Sequence, residues 1–375
     1  MSTRIPQLGS SLRALALAGL LATAACRAEA EAAPRADAEA EAEARAVPRD
    51  TAPSGAPPAF PSAPAAAAAP SGSSSAPATP APTPARLAFV GDLAMTMLVQ
   101  HWIDARADGR AVPPAVDAAF PFSHVAARLA ASDLVVGNLE CVLSPLGARA
   151  TTHNPFRCSL RTPEVLLGAH IGLVSVANNH ALDFGANALA DTLRRLERGG
   201  LPSIGRAAME GRPTEPFVRT IAGVRVAILG YAVPPRQALA DVAAAAGRAD
   251  FVVVFAHWGA ENRPEPTPEQ RGGARALVDA GADLVVGTHA HVLQPCEWYE
   301  GKLLAYGLGN FVFNAMQDTE ARRGGAMLEA ELLPPDEARG RARVAAYRLQ
   351  RTRLDDHGAP VLVGEPEPLG PPAEP

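Results

Sequence analysis

In the stretch AGADLVVGTHAHVLQP, residues 280 to 295, the apolar run Leu284, Val285, Val286 stops at Gly287, and His289 and His291 follow two residues apart. Side chains at i and i+2 of an extended segment point the same way, so both imidazoles can reach one spot beyond a buried strand. Imidazole is a common ligand for divalent metals, although a polar loop with two ordinary histidines has the same spelling. Repetition separates the two readings. LAFVGD ends in Asp92, DLVVGNLE in Asn138 and Glu140, GLVSVANNH in Asn179 and His180, and FVVVFAHWG in His257. Five apolar runs therefore deliver Asp, Glu, Asn and His at their ends. This mixture of oxygen and imidazole donors suits Mn, Fe, Zn or Mg better than a thiolate site. A single structural zinc would draw on a compact Cys/His cluster, not on donors spread over the chain.

Runs of this kind must be strands, and the residues between them must bring their ends to one edge. From Arg86 to about Leu333, short apolar runs alternate with helix-like segments, the pattern of one α/β domain. In open α/β sheets, ligands gather at the carboxyl ends of strands, where the loops converge. ARVAAYRLQRT, residues 342 to 352, alternates like a further strand closing a sheet edge. The domain is assigned to residues 86–354. Residues 355–375 read as a C-terminal tail, disordered from about Glu365 where Pro and Glu accumulate.

The first 85 residues carry no chemistry of this kind. Residues 1–25 place Arg4 and Arg13 before an apolar stretch and a run of small residues, the layout of an export signal too short to span a membrane comfortably. LATAAC resembles a bacterial lipobox, which makes Cys26 the lipidated first residue of the mature protein and its anchor in the membrane. Thr23 stands where that motif usually has Leu, and ordinary cleavage with release is the alternative. Residues 26–85 are Ala, Pro, Ser and Glu with little that is bulky and apolar, and such a segment reads as a disordered tether.

The formal net charge is -5, with no basic stripe, which argues against nucleic acid as a partner. Of four cysteines, Cys141, Cys158 and Cys296 remain after Cys26. A disulfide is compatible with export, and Cys141 with Cys158 is the pair nearest in sequence; one thiol is left over.

GD at 91–92, NLE at 138–140, ANNHALDFG at 177–185, HWGAE at 257–261, GTHAHVLQP at 287–295 and YGLGNFVF at 306–313 together resemble the ordered motifs of the CapA family, capsule-synthesis proteins linked to poly-γ-glutamate. That family is related to the calcineurin-like metallophosphoesterases. The resemblance implies a metallophosphoesterase-like four-layer α-β-β-α sandwich with a site for two divalent ions at the strand ends. By motif, Asp92 and His291 would hold the first ion and Asn179, His257 and His289 the second, with Glu140 as the bridging acid. His180 would be the general acid that protonates a leaving oxygen. Asn138 and Asn310 are expected to bind substrate, Asn310 with turn capping as its alternative.

The wider superfamily places a His two residues after the first Asp, where this chain has Ala94, so the first ion is expected to be weakly held or missing. Thr288 and Ala290 around the histidines, and Asn314 after GNFVF, also depart from the family pattern. Asp183 either orients His180 and its loop or caps the helix starting near Gly185. Trp258 and Trp298 read as pocket walls or buried aromatics, and Arg157 and Arg161 as anion contacts or solvated side chains.

The resemblance implies an exported protein of capsule or surface-polymer assembly that uses divalent metal for hydrolysis or transfer on an anionic polymer or phosphoester. The alternative is a non-catalytic polymer-binding accessory of a capsule synthase or export complex.

Overall fold

The computed structural model describes residues 82–150, 154–314, 319–336 and 340–371. The leader, Cys26 and the tether as far as residue 81 lie outside the described residues. In chain order the elements are β1 (Ala85–Leu93), α1 (Met97–Ala107), α2 (Ala126–Leu129), β2 (Leu134–Leu139), α3 (Thr162–Gly168), β3 (Ile171–Ser175) and α4 (Ala186–Arg198). There follow β4 (Ser203–Ile204), α5 (Arg206–Met209), β5 (Phe217–Ile221), β6 (Val224–Ala232), α6 (Gln237–Ala246), β7 (Phe251–His257), α7 (Pro268–Asp279) and β8 (Leu284–Thr288). The chain closes with β9 (Cys296–Tyr299), β10 (Lys302–Ala305), β11 (Asn310–Val312), α8 (Glu320–Arg323), β12 (Gly324–Leu333), β13 (Arg343–Leu354) and β14 (Pro360–Leu369). All five ligand-bearing runs are strands: β1, β2, β3, β7 and β8.

One sheet has the order β14-β13-β12-β1-β2-β3-β4 with β11 added beside β1, and the other β5-β6-β7-β8-β10-β9. Strands β1 to β4 run parallel to one another in the first sheet, as do β6, β7, β8 and β10 in the second, while β12, β5 and β9 flank them antiparallel. The apolar runs are nearly unbroken because both faces of these strands are covered. In β1, Leu87 and Phe89 face the other sheet and pack with Val136, Ile228, Val253 and Phe255. Ala88 and Val90 face outward onto Val99 and Ile103 of α1 and Leu196 of α4. On the far side, Val242 of α6 and Leu277 of α7 cover Leu229, Val252 and Val285. The layers are thus helix, sheet, sheet, helix, as the resemblance implied.

Two glycines let the strand ends of the two sheets meet. A Cβ on Gly91 would lie 1.9 Å from the Gly309 carbonyl oxygen, and one on Gly287 would lie 1.9 Å from that of Tyr306. The segment 306–309 runs against both, held by Asp92 N–H donating to Gly309 O (3.0 Å) and Leu308 N–H to Gly287 O (3.0 Å). Gly91 and Gly287 in the GD and GTH motifs are therefore close-approach positions that tie β1 and β8 to one strap.

The C-terminal segment departs from expectation. Residues 360–369 are not a tail: they form β14, paired antiparallel with β13 from Leu354↔Pro360 to Tyr347↔Leu369. β13 in turn is not an edge strand, since β12 flanks its other side. The prolines that suggested disorder sit on the outermost strand, where a missing N–H costs no ladder bond. Among the described residues no helix is long and apolar enough to cross a membrane.

Gly91→Ala should destabilise the fold by about 1–3 kcal/mol or more, since backbone on both sides must move. Urea unfolding would read this as a lower midpoint at unchanged slope. A wild-type midpoint would contradict the close-approach role.

Candidate metal centre

Strand pairing builds this site, because residues far apart in sequence become neighbours in register. Asp92 pairs with Asn138 of β2 on one side and with Asn310 of β11 on the other. His257 pairs with Thr288 of β8. Asp92 and His257 each have a supporting group beside them. Asn138 Nδ2 donates to Asp92 Oδ1 at 2.8 Å, and Thr288 Oγ1 lies 3.0 Å from His257 Nδ1. His289 and His291 follow β8 with positive φ, 88° and 56°. This conformation is uncommon for residues other than glycine and often marks functional sites. The amide of His289 donates to Asp92 Oδ2 at 3.2 Å, which holds the turn against β1.

Two donor sets result: Glu140, His257 and His289, and Asp92, Glu140 and His291, the atoms of each lying within 4.8 Å of one another. Glu140 belongs to both, as a bridging acid must. Its side chain is fully buried, and neither oxygen has a hydrogen-bond partner among the described residues. Nδ1 of His289 is likewise buried and unpartnered. Burying a carboxylate without partners is costly, and a cation held between the two sets removes that cost. Asn179 Oδ1 lies 2.7 Å from His257 Nε2, close enough for both to share an ion. For His257 to bind through Nε2 its ring proton must sit on Nδ1, where Thr288 Oγ1 can accept it. His291 has the same arrangement, with Nδ1 3.0 Å from Asn310 Oδ1 and Nε2 3.9 Å from Glu140 Oε1.

Without a cation the charges divide. Burial pushes Glu140 well above the usual carboxylate range, and the Asp92 charge adds to this. Burial opposes the charge on Asp92 too, but His291 and His257 beside it hold that carboxyl below its ordinary value. Burial lowers His257 and His289, whereas on His291 burial is outweighed by Glu140 and Asp92, which push it up to about 10. Bound cations are the largest local charge in such a site and reverse this order.

His180 stands beside the donors on the rim of a cleft of about 400 Å³, lined also by Phe156, Phe313 and Asn314. Its Nδ1 lies 2.7 Å from Asp183 Oδ2, so Asp183 orients it. The capping alternative for Asp183 is not what forms: Gly185 is the residue before α4 and no side chain caps that helix.

Asn138 and Asn310, expected to touch substrate, are fully buried behind the donors. Their amides are spent on Asp92 and on the His291 and Arg322 carbonyl oxygens, so both are supports. Asn178 was missed by sequence reasoning. Its Nδ2 donates to Asn138 Oδ1 (3.0 Å) and Leu139 O (2.8 Å), and its Oδ1 accepts from His180 N–H (3.1 Å). The doubled Asn in ANNH was the available signal.

Trp258 is buried, its Nε1–H donating to Tyr306 O at 3.1 Å. Trp298 packs against Tyr347. Arg157 donates to Leu146 O and stacks over Phe184. Ala94 is buried with its amide on Val312 O and leaves the Asp92 set with one imidazole, His291.

Residues 86–315 match the family model described as bacterial capsule synthesis protein PGA_cap. The PGA biosynthesis protein CapA of Bacillus subtilis (strain 168) is 30% identical over 248 residues, 60% of this chain and 63% of its own length. The capsule biosynthesis protein CapA of Bacillus anthracis is 32% identical over 221 residues, 52% of this chain and 54% of its own. The match thus spans less than two thirds of either Bacillus protein. A probable polyglutamine synthesis accessory protein of Mycobacterium tuberculosis (strain ATCC 25618 / H37Rv) is 28% identical over 296 residues, 67% of this chain and 77% of its own.

Glu140→Gln should have opposite effects on metal-free and metal-loaded protein. In the chelated wild type, the raised Glu140 means that stability falls as pH rises above the ordinary carboxylate range, where the unfolded chain ionises and the folded one resists. The amide removes that cost, so chelated E140Q should melt higher than wild type at neutral pH. After manganese loading it should retain less metal. Equal metal content in both proteins would contradict the bridging role.

Proposed function

The chain belongs to the bacterial capsule synthesis protein family PGA_cap, and from that premise we propose that it is an exported, metal-dependent hydrolase or transferase of surface-polymer assembly, acting on an anionic, poly-γ-glutamate-like polymer or a phosphoester. The observation that carries the reading is Glu140, a buried carboxylate with both oxygens unpartnered between two sets of Asp and His donors. Asp92 and His291 would hold one ion and Asn179, His257 and His289 the other, with Glu140 between them; Mn, Fe, Zn or Mg all suit these donors.

Bound divalent ions would supply Lewis-acid neutralisation of the reacting oxygens and lower the pKa of water. The remaining work falls to the chain's own groups. His180 keeps Nδ1 on Asp183 and has Nε2 to carry the proton that a departing oxygen takes up. Asn138, Thr288 and Asn310 fix the orientation of the donors, the usual contribution of groups behind a metal site. The cleft beside His180, with Phe156, Phe313 and Asn314 in its wall, receives the substrate.

A lipid on Cys26 would anchor the protein outside the cytoplasm, and the Cys141–Cys158 disulfide suits an oxidising compartment. The second reading is a non-catalytic accessory that uses the same cleft to hold polymer beside a synthase. The mycobacterial relative, named as a probable polyglutamine synthesis accessory protein, favours it.

His180→Ala should leave metal content unchanged and slow cleavage of a phosphodiester with a poor leaving group on the order of 10²–10⁴-fold, the usual worth of a general acid. Loss of metal in this variant would contradict its assignment as proton donor. Full metal loading with no turnover of any ester or amide would favour the accessory reading. Cys26→Ser should move the protein from the membrane fraction to the soluble one; unchanged membrane association would overturn the lipid anchor.

A further inference from the structure

We propose that Phe156 is a positioning residue for His180 and that the Cys141–Cys158 disulfide fixes Phe156 in that role, so the proton donor is fully assembled only in the oxidised protein. The inference rests on His180 being the donor, as read above.

Phe156 acts on His180 in two ways. Its ring lies parallel to the imidazole, with centroids 4.0 Å apart and planes 10° apart. Its backbone N–H donates to Asp183 Oδ2 at 2.6 Å, the same oxygen that faces His180 Nδ1 at 2.7 Å. With the ring proton of His180 on Nδ1, that one oxygen accepts from both groups. Phe156 thereby sets the plane of the imidazole through its ring and the direction of the Nδ1 bond through its amide. On its other side it meets Phe313 edge-on at 5.8 Å, and Phe313 meets His291 at 5.0 Å. His180, Phe156, Phe313 and His291 thus form one aromatic wall along the cleft.

The backbone that carries Phe156 is lightly held. Val142 N–H donates to Phe156 O (2.9 Å) and Cys158 N–H to Val142 O (3.1 Å), and the bridges formed by Arg157 and Cys158 are isolated ones. A pairing this short is marginal by itself. The covalent link lies at its end: Cys158, two residues after Phe156, is bonded to Cys141, which directly follows Glu140. The bond ties the platform under His180 to the strand end that carries the shared acid. Its formation takes two protons and two electrons from the thiols, accepted by an external disulfide that is reduced to two thiols.

The test uses the full chain labelled with ¹⁵N-histidine, with His180→Ala identifying the signals of that ring. Three quantities are read: exchange protection of the His180 Nδ1 proton, turnover of a phosphodiester with a poor leaving group, and metal content after manganese loading. Phe156→Ala should lose the protected proton and slow turnover at least about tenfold, part of the full worth of a general acid, at unchanged metal content. Phe156→Tyr keeps a ring and should restore both. The Cys141→Ser/Cys158→Ser protein should behave like Phe156→Ala; if it does not fold, wild type reduced under native conditions replaces it. A protected proton and normal turnover in Phe156→Ala would overturn the role of Phe156. The same result with the disulfide open would overturn that of the bond. If wild type turns over no ester, the catalytic reading fails by itself, and the imidazole signal decides the positioning.

Discussion

A fully buried carboxylate whose two oxygens have no hydrogen-bond partner among the described residues is the constraint on which this molecule turns. Glu140 lies at the end of β2, between His257 and His289 on one side and Asp92 and His291 on the other. A chain without a cation at this point must either protonate the acid or bury its charge, and both cost stability. The glycines at 91 and 287, which admit the strap 306–309, serve the same end by bringing the ends of β1 and β8 together. So does the positive-φ turn through His289 and His291, whose backbone is held by Asp92. Several local strains point at one locus, which is how functional sites depart from otherwise relaxed folds.

Around the donors lies a second set of side chains whose work is orientation. Asn138 on Asp92, Thr288 beside His257, Asn310 beside His291 and Asp183 beside His180 each fix one group. Their register explains a departure in the GTHAH motif: Thr288 is the residue paired with His257 across β7 and β8, and its hydroxyl reaches the ring. Groups in these positions would orient the donors before a cation entered. Rigid ligands of matched geometry are what give a metal site its affinity.

The residues that meet in the two sets were legible in the sequence because parallel strands buried on both faces read as apolar runs, and these residues stand at the ends of those runs. The family resemblance was legible in the same motifs, and the match of residues 86–315 bears it out. Sequence proximity made Cys141 with Cys158 the nearest pair for a disulfide without deciding that one forms, and the structure joins them. The supports were harder to read, because Asn138 and Asn310 look like substrate contacts until strand pairing places them on either side of Asp92. That pairing is non-local, and no spacing along the chain encodes it. β14 was hidden for a different reason: Pro366 and Pro368 carry the composition of a disordered tail, yet an outermost strand tolerates them. Phe156 sits in a loop-like stretch with no periodicity, so nothing local marked it as the neighbour of His180.

The central claim is that Glu140 is shared between two cation sites. Anomalous diffraction from crystals of the protein grown with manganese tests it most directly. The account predicts two peaks about 3.5–4 Å apart, one against Asp92 and His291, the other against Asn179, His257 and His289, with Glu140 touching both. A crystal with no peak at Glu140, or with a peak on one side of it alone, under saturating manganese would contradict it.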